Sequence, residues 1–329
     1  QPRATGGRAT ADAGFMGKEL EAHARRLNFN PGTRPGPPKN PLNRPMTRAA
    51  LTLLVLVAGF VASAAAATDR PKDVVVPRQV IPLFNGKDFT NFYTWLPTFG
   101  RQDPDRVFTV VDRIDGEPAI RVSGQHWGGF VTTANYADYK LVLEYRWTDV
   151  TWKPRADRAR DSGILIHGQG EDGNYAKAMN SPWLRSLEYQ IIEGGTGDLL
   201  VLNGYDRGVD TPISPKLIAN IRDAEPKGTF IWDPAAPARE VPRGRINWQY
   251  RDPAWKDQLG FRGPKDIEKP IGQWNRVEAI VDGGNLTYFL NGVKVNEARD
   301  SVFTWGRLLF QSEGAEIYFR RIELHPLKK

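Results

Sequence analysis

"YKLVLEYRW", residues 139–147, decides the fold class. Leu141, Leu143, Tyr145 and Trp147 fall on one phase and Lys140, Val142, Glu144 and Arg146 on the other. A repeat of two belongs to an extended strand with one apolar face, because successive side chains leave opposite sides of a pleated chain. By this phase Trp147 belongs to the core. Further along, "DSGILIHG" (161–168) and "SLEYQII" (186–192) read as strands. "NRVEAIVDGGNLTYFLNGVKVNEA" (275–298) carries tight-turn signals at Asp282-Gly283-Gly284-Asn285 and at Asn291-Gly292, and "GRLLFQSEGAEIYFRRIELHPL" (306–327) follows it. No amphipathic helix of ordinary length and no repeat of fixed period accompanies them. The expectation is an all-β sandwich of two antiparallel sheets. Residues 203–270, rich in Pro, Gly, Asp and Arg, are weakly patterned and are expected to run over a sheet edge, where ligand-shaping loops are common.

Upstream the character changes. Residues 1–45 are rich in Pro, Gly and Arg and bury too little apolar surface to order themselves. Residues 46–67, "MTRAALTLLVLVAGFVASAAAA", have the layout of a secretory signal peptide with Met46 as the expected start: a positive charge, an apolar run, then small residues. The run is short for a bilayer span, so no stable membrane anchor is expected after cleavage. Residues 68–78 are then expected to form a linker and 79–329 a single β-sandwich domain. The whole chain has net charge +7 and a pI near 9.5. Residues 1–67 hold nine Lys/Arg and three Asp/Glu, which leaves 36 basic and 35 acidic residues in the remainder. A near-neutral exported protein has no polyanion-binding signature, so nucleic acid is not an expected partner. There is no cysteine, which excludes disulfides, thiol chemistry and a lipidated N-terminal cysteine. Stability must come from a large hydrophobic core, which this length permits. The expected location is periplasmic or secreted.

The stretch "SLEYQIIEGGTGD" (186–198) raises the question of chemistry. Strict alternation puts Glu188 and Gln190 on one face and Glu193 on the other; a bulge or strand end at 191–192 would return Glu193 to the Glu188 face. Two carboxylates so placed approach the separations used in glycoside hydrolysis. A solvated strand face is the plainer explanation of the same charges. On the preceding strand His167 alternates with Asp161, and a histidine there would serve as a proton carrier or a metal ligand. Glu144 and Arg146 project together from the strand before it, and Arg185 lies three residues before Glu188; such arginines hold a glutamate ionised or clamp an anionic transition state, or simply form salt bridges. Trp127, Trp152 and Trp183 stand beside Gly, Lys, Arg and Pro, as rim residues that stack on a sugar ring would. The glycines at 194–197 are no phosphate loop, since the lysine and the following helix are missing.

At these residues the chain resembles the bacterial family of 3-keto-disaccharide hydrolase domains, a jelly-roll sandwich of the concanavalin A-like lectin/glucanase type. The resemblance rests on "IPLFNGKDFTNFYTW" (81–95), "YADYKLVLEYRW" (136–147), "RARDSGILIHG" (158–168), "WLRSLEYQIIEGGTGD" (183–198), "IGQWNRVEAIVDGGNLTYFLNG" (271–292) and "LLFQSEGAEIYFRRIELHPL" (308–327). It implies an exported enzyme, or a sugar-binding module, of a carbohydrate-degrading system. "EYQIIE" is also similar to the Glu-x-Asp-x-x-Glu strand of laminarinase-type glycoside hydrolases, which would make Glu188 nucleophile-like and Glu193 acid/base-like. Gln190 stands where that pattern has aspartate, and an amide neither carries charge nor takes a proton, which argues against ordinary double displacement.

A 3-keto sugar offers another route: the ketone acidifies C2–H, a base removes it, a cation steadies the enolate, an acid helps the C1 substituent depart, and water adds. Glu188 and Glu193 are the expected base and acid, with Arg185 or a divalent ion (Ca, Mn, Mg or Zn) held by His167, Glu188 and Glu193 as the positive centre. The alternatives are a non-catalytic carbohydrate-binding module, a conventional glycoside hydrolase with paired glutamates, and a structural domain. Sugar, linkage and oligomeric state are not legible at this level.

Overall fold

The computed structural model of the protein describes residues 70–328; the expected leader and the residues before it lie outside that range. Eighteen strands and no helix occur among the described residues. In chain order they are β1 (Ile81–Pro82), β2 (Phe92–Trp95), β3 (Phe108–Ile114), β4 (Glu117–Val122), β5 (Gly128–Thr132) and β6 (Tyr139–Thr151). Then come β7 (Asp161–Gln169), β8 (Arg185–Ile192), β9 (Leu199–Leu202), β10 (Leu217–Ala224), β11 (Thr229–Trp232) and β12 (Ala238–Val241). The last six are β13 (Gly244–Asn247), β14 (Asn275–Asp282), β15 (Asn285–Leu290), β16 (Val293–Ala298), β17 (Arg307–Ser312) and β18 (Ala315–Pro326).

They form the expected all-β, two-sheet jelly-roll sandwich. One sheet runs β16-β15-β14-β6-β18-β4-β3, with β1 paired to β18; the other runs β12-β10-β11-β13-β9-β8-β7-β17-β5-β2. Every named pairing is antiparallel except β11 with β13. Strands adjacent in sequence often belong to different sheets, β6 and β7 among them. That crossing is what makes a sandwich of distant segments, and it matters for the site below.

The alternation in 139–147 does its expected work. Leu141, Leu143, Tyr145 and Trp147 are buried between the sheets. They meet Ile164 and Ile166 of β7, Leu187, Tyr189 and Ile191 of β8, and Leu308 and Phe310 of β17 in one core. Each such side chain contributes roughly 1.5–3 kcal/mol by leaving water. The turns at 283–284 and 291–292 join β14 to β15 and β15 to β16 as expected.

The ten-stranded sheet is also covered on its outer face, the one turned away from its partner. Val131, Leu165, Trp183, Leu184, Leu202 and Leu309 form a second apolar cluster there. Hence β8 is buried along its whole length. Residues 203–270 are more regular than expected, for they hold β10 to β13 and extend this sheet. Their pattern is weak because β11, β12 and β13 are only four residues long, too short to display a clear alternation. Among the described residues no helix is long and apolar enough to cross a membrane.

Candidate active site

Register arranges the outer face of the ten-stranded sheet in rows. One row reads Tyr93, Val131, Leu309, Leu165, Glu188, Leu200 and Arg245 across seven strands. The next contains Trp95 opposite Gly129, Gln311 opposite Gly129, and Gly163 opposite Gln190. Asp161 begins β7 one step further, opposite Ile192, and Glu313 follows directly on β17. The apolar half of the face lies over β5 and β17. The polar half is centred on Gly163, which has no side chain of its own.

That bare glycine is required. A methyl carbon at Gly163 would lie inside contact distance of Glu188 Oε1 and Gln311 Oε1. The two side chains therefore fold over the glycine from the strands on either side. Around them the polar groups interlock. Gln190 Nε2 donates to Asp161 Oδ1 at 2.5 Å, and Arg245 Nη2 donates to Gln190 Oε1 at 3.2 Å. Arg155 pairs with Asp161 at 3.0 Å and with Asp257 at 2.9 Å.

Asp198, fully buried, accepts from Arg245 Nη1 at 2.9 Å, from the Trp248 amide at 2.9 Å, and from Arg251. This aspartate fixes Arg245 in the site, and it also neutralises Arg251, which is buried beside it. Asp198→Ala strands that guanidinium without its counter-charge. The expected result is a loss of about 3–5 kcal/mol in denaturant unfolding, the cost of breaking a buried pair from one side.

Three carboxyls here hold their protons more tightly than usual. Burial pushes Glu188 up to about 8, with Arg245 opposing, the charge of Asp161 adding, and the Gln311 amide opposing. Burial also raises Asp161, against the pull of Arg155 and Arg245. Glu313 is raised well above the ordinary range by burial and by Asp161, with Arg155 opposing, although the residue as a whole is half-buried. Tyr175, on the segment that covers the apolar half, has its hydroxyl raised by burial and by the charge of Glu188. Carboxyls that compete for the same arginines do not all ionise together, which is the arrangement that pairs an acid with a base.

Several expected members of the site stand elsewhere. Glu193 keeps the phase opposite Glu188. Its Oε1 binds Arg160 Nη1 at 2.8 Å and its Oε2 accepts from the Gly260 amide at 2.9 Å, so it clamps the segment after β13 to the end of β8. The strand carries no bulge at 191–192 to return it, since the β7–β8 register is continuous from Ile166 to Asp161. His167 sits at a bulge instead, with φ of 55°, where the register shifts between Ile166 and Gln169. The bulge turns its ring inward against Tyr139, and Nδ1 meets the Phe303 carbonyl at 2.9 Å. Burial lowers its pKa to about 4, so it is neutral.

His167, Glu188 and Glu193 thus point to three different places and cannot act as one ligand set. Among the described residues no group of three His, Asp or Glu side chains is placed to hold a metal ion.

Glu144 and Arg146 belong to β6, in the opposite sheet, and face away from the sandwich. Glu144 pairs with Arg320 at 2.7 Å, and Arg146 pairs with Asp115 at 2.8 Å. Their neighbourhood with β7 is one of sequence alone, because the chain changes sheets between them. Arg185, at the far end of β8, binds Asp206 at 2.6 Å. Trp127 and Trp183 do lie over the outer face, 6.4 Å apart and 21° from parallel. Trp183 is buried there as part of the covering layer, so it offers no open ring face. Trp152 is at the rim, exposed, with Nε1 donating to the Ser123 carbonyl at 2.9 Å.

Asp161, Glu188 and Gln190 are the expected residues that do converge. Arg155, Arg245, Gln311 and Glu313 join them without having been singled out. For Gln311 a signal existed: in "LLFQSEGAE" it falls on the phase opposite Leu308 and Phe310, a polar group inside an apolar strand. For Arg245 none did, since the partner of β13 lies more than forty residues away in sequence.

Residues 79–325 match the family described as the 3-keto-alpha-glucoside-1,2-lyase-like domain. No curated protein matches the chain. Among solved structures, a candidate glycosyl hydrolase of Parabacteroides distasonis is 18% identical with a TM-score of 0.43, over 78% of this chain and 100% of that one. A carbohydrate-binding module of Bacillus subtilis is 12% identical with a TM-score of 0.36, over 71% and 95%. A beta-glucanase of Bacillus licheniformis is 8% identical with a TM-score of 0.37, over 75% and 97%.

Proposed function

Since the chain belongs to the 3-keto-alpha-glucoside-1,2-lyase-like family, and is thereby a carbohydrate-acting enzyme domain, we propose that the outer-face site cleaves 3-keto-glycosides or 3-keto-disaccharides by elimination and hydration. The observation that carries this assignment is the set of three proton-holding carboxyls around a bare glycine, with Arg245 beside them. Arg245 is a third open to solvent, while its other end is anchored on Asp198. It is the positive centre for the oxygen of the 3-ketone.

Glu313 is the base in this scheme, because it stands at the end of β17 beside Asp161 and Arg155 and the residue is half-buried, not fully enclosed. A carboxyl with a raised pKa is also the stronger base once ionised. It removes the C2 hydrogen, and the electron pair passes to the ketone oxygen as an enolate held by Arg245. The pair then returns to form the C1=C2 double bond as the C1–O bond breaks. The departing oxygen keeps the electrons of that bond and takes the proton of Glu188. Water adds across the double bond, its oxygen to C1, its proton to Glu188, while Glu313 returns a proton to C2. Both carboxyls are restored and the net result is hydrolysis. Asp161, tied to Arg155 and Gln190, sets the charge around them. An exported location, periplasmic or secreted, is part of the same proposal and is supported by the leader pattern of residues 46–67.

The test is turnover of a panel of glycosides and of their 3-keto forms, with chelator and with added divalent ions, reading released sugar or aglycone. The expected result is release from keto forms only. Binding without release from any keto-glycoside, under every metal condition, would instead make the domain a binding module.

A further inference from the structure

Gln311 is 2% exposed, and its Oε1 is buried without a hydrogen-bond donor. That oxygen and Glu188 Oε1 both reach over Gly163, each crowding the place a methyl carbon on that glycine would take. A buried acceptor left unmet costs about 1–3 kcal/mol, and with the amide placed as it is its contact with Glu188 favours the ionised carboxyl. With the amide oxygen turned to Glu188, a proton on the glutamate gives that unmet acceptor its donor. We propose that Gln311 is a positioning residue whose Oε1 accepts the carboxylic proton of Glu188 across Gly163, and so holds that group as the site's acid.

The amide chooses the proton's position as well as its presence. It keeps the proton on the oxygen above the glycine floor, toward the polar half of the face. This assignment rests on the reading of Glu188 as an acid, but it concerns a proton equilibrium that exists without substrate. The titratable groups that act on Glu188 or feel it are Arg245 from β13, Asp161 from β7, Glu313 from the turn after β17, Tyr175 from the covering segment and, from the opposite sheet, Tyr288 of β15. None of them is altered by a change at Gln311. The opposite arrangement, in which the amide is turned and Nε2 donates to an ionised Glu188, predicts the opposite sign.

The experiment is a carboxyl-carbon NMR titration of the glutamate-labelled protein, with the Glu188 signal assigned by its absence in Glu188→Gln. Gln311→Met keeps the length of the side chain and removes the acceptor; Gln311→Asn, which withdraws it, is the second variant should the first fail to fold. The Glu188 titration is expected to move down by about one pH unit or more, a tenfold loss of proton affinity. The alkaline limb of kcat/KM on a 3-keto-glycoside is expected to move with it. An unchanged titration, or one that moves up, overturns the proposal. If no keto-glycoside is turned over, the functional reading fails while the titration still decides the role of Gln311.

Discussion

Glu188→Gln is expected to lose about 10³-fold in kcat on a keto-glycoside, in line with removal of a general acid, and at the same time to melt higher than the parent in alkaline buffer. The gain follows from linkage. Glu188 titrates at about 8 in the fold against an ordinary 4.5. A carboxyl whose folded pKa is raised gives its full stabilisation below its unfolded value, and that stabilisation is lost as pH rises through the folded one. Above pH 8 the parent therefore carries a buried charge that the amide does not. The expected difference is about 2–4 kcal/mol, or several degrees in Tm for a domain of this size. It shrinks toward acidic pH, where parent and variant are both neutral. Melting curves at a series of pH values check the sign. A variant that loses activity and is less stable at every pH would show Glu188 to be a structural residue.

The second large effect is expected from the smallest change. Gly163→Ala adds one methyl group at the centre of the polar half, where Glu188 Oε1 and Gln311 Oε1 already occupy the space. Both are the free ends of long side chains, so they can yield without breaking the sheet. Stability is expected to fall by about 1–3 kcal/mol, as for overpacking elsewhere. Activity is expected to fall further, by about 10²-fold, because a displacement of an ångström at a reacting group has that order of effect. Steady-state kinetics beside a denaturant melt separates the two. Equal and modest losses in both would mean that the carboxyl position above Gly163 is not critical.

How much of this was legible follows from what each residue's neighbours are. Strands whose one face is buried, such as β6 and β14, announce themselves by alternation, and the sandwich is read from them. β7 and β8 are buried on both faces, so their polar residues stand out against an apolar background; that is why Asp161, Glu188 and Gln190 were found. Phase also separates Glu193 from Glu188, and the structure follows strict phase, with no bulge at 191–192. The actual bulge lies at His167, where nothing in "LIHGQG" marks it. Partners from other strands were hidden for a different reason. Glu144 is close to Asp161 along the chain and belongs to the opposite sheet, while Arg245 is remote along the chain and shares a row with Glu188. Pairing across a sheet of crossing connections is set by the whole topology, and no window of sequence contains it.

The complete burial of β8 has a practical meaning for changing what the domain acts on. One phase of that strand builds the core, the other builds the carboxyl site, and its last step leads into the Glu193 clamp, so no position along it is free to vary without touching folding or chemistry. A library randomised there would report mostly on survival of the fold. Diversity in substrate preference is better sought at the open margin, at Trp152, where the side chain is exposed.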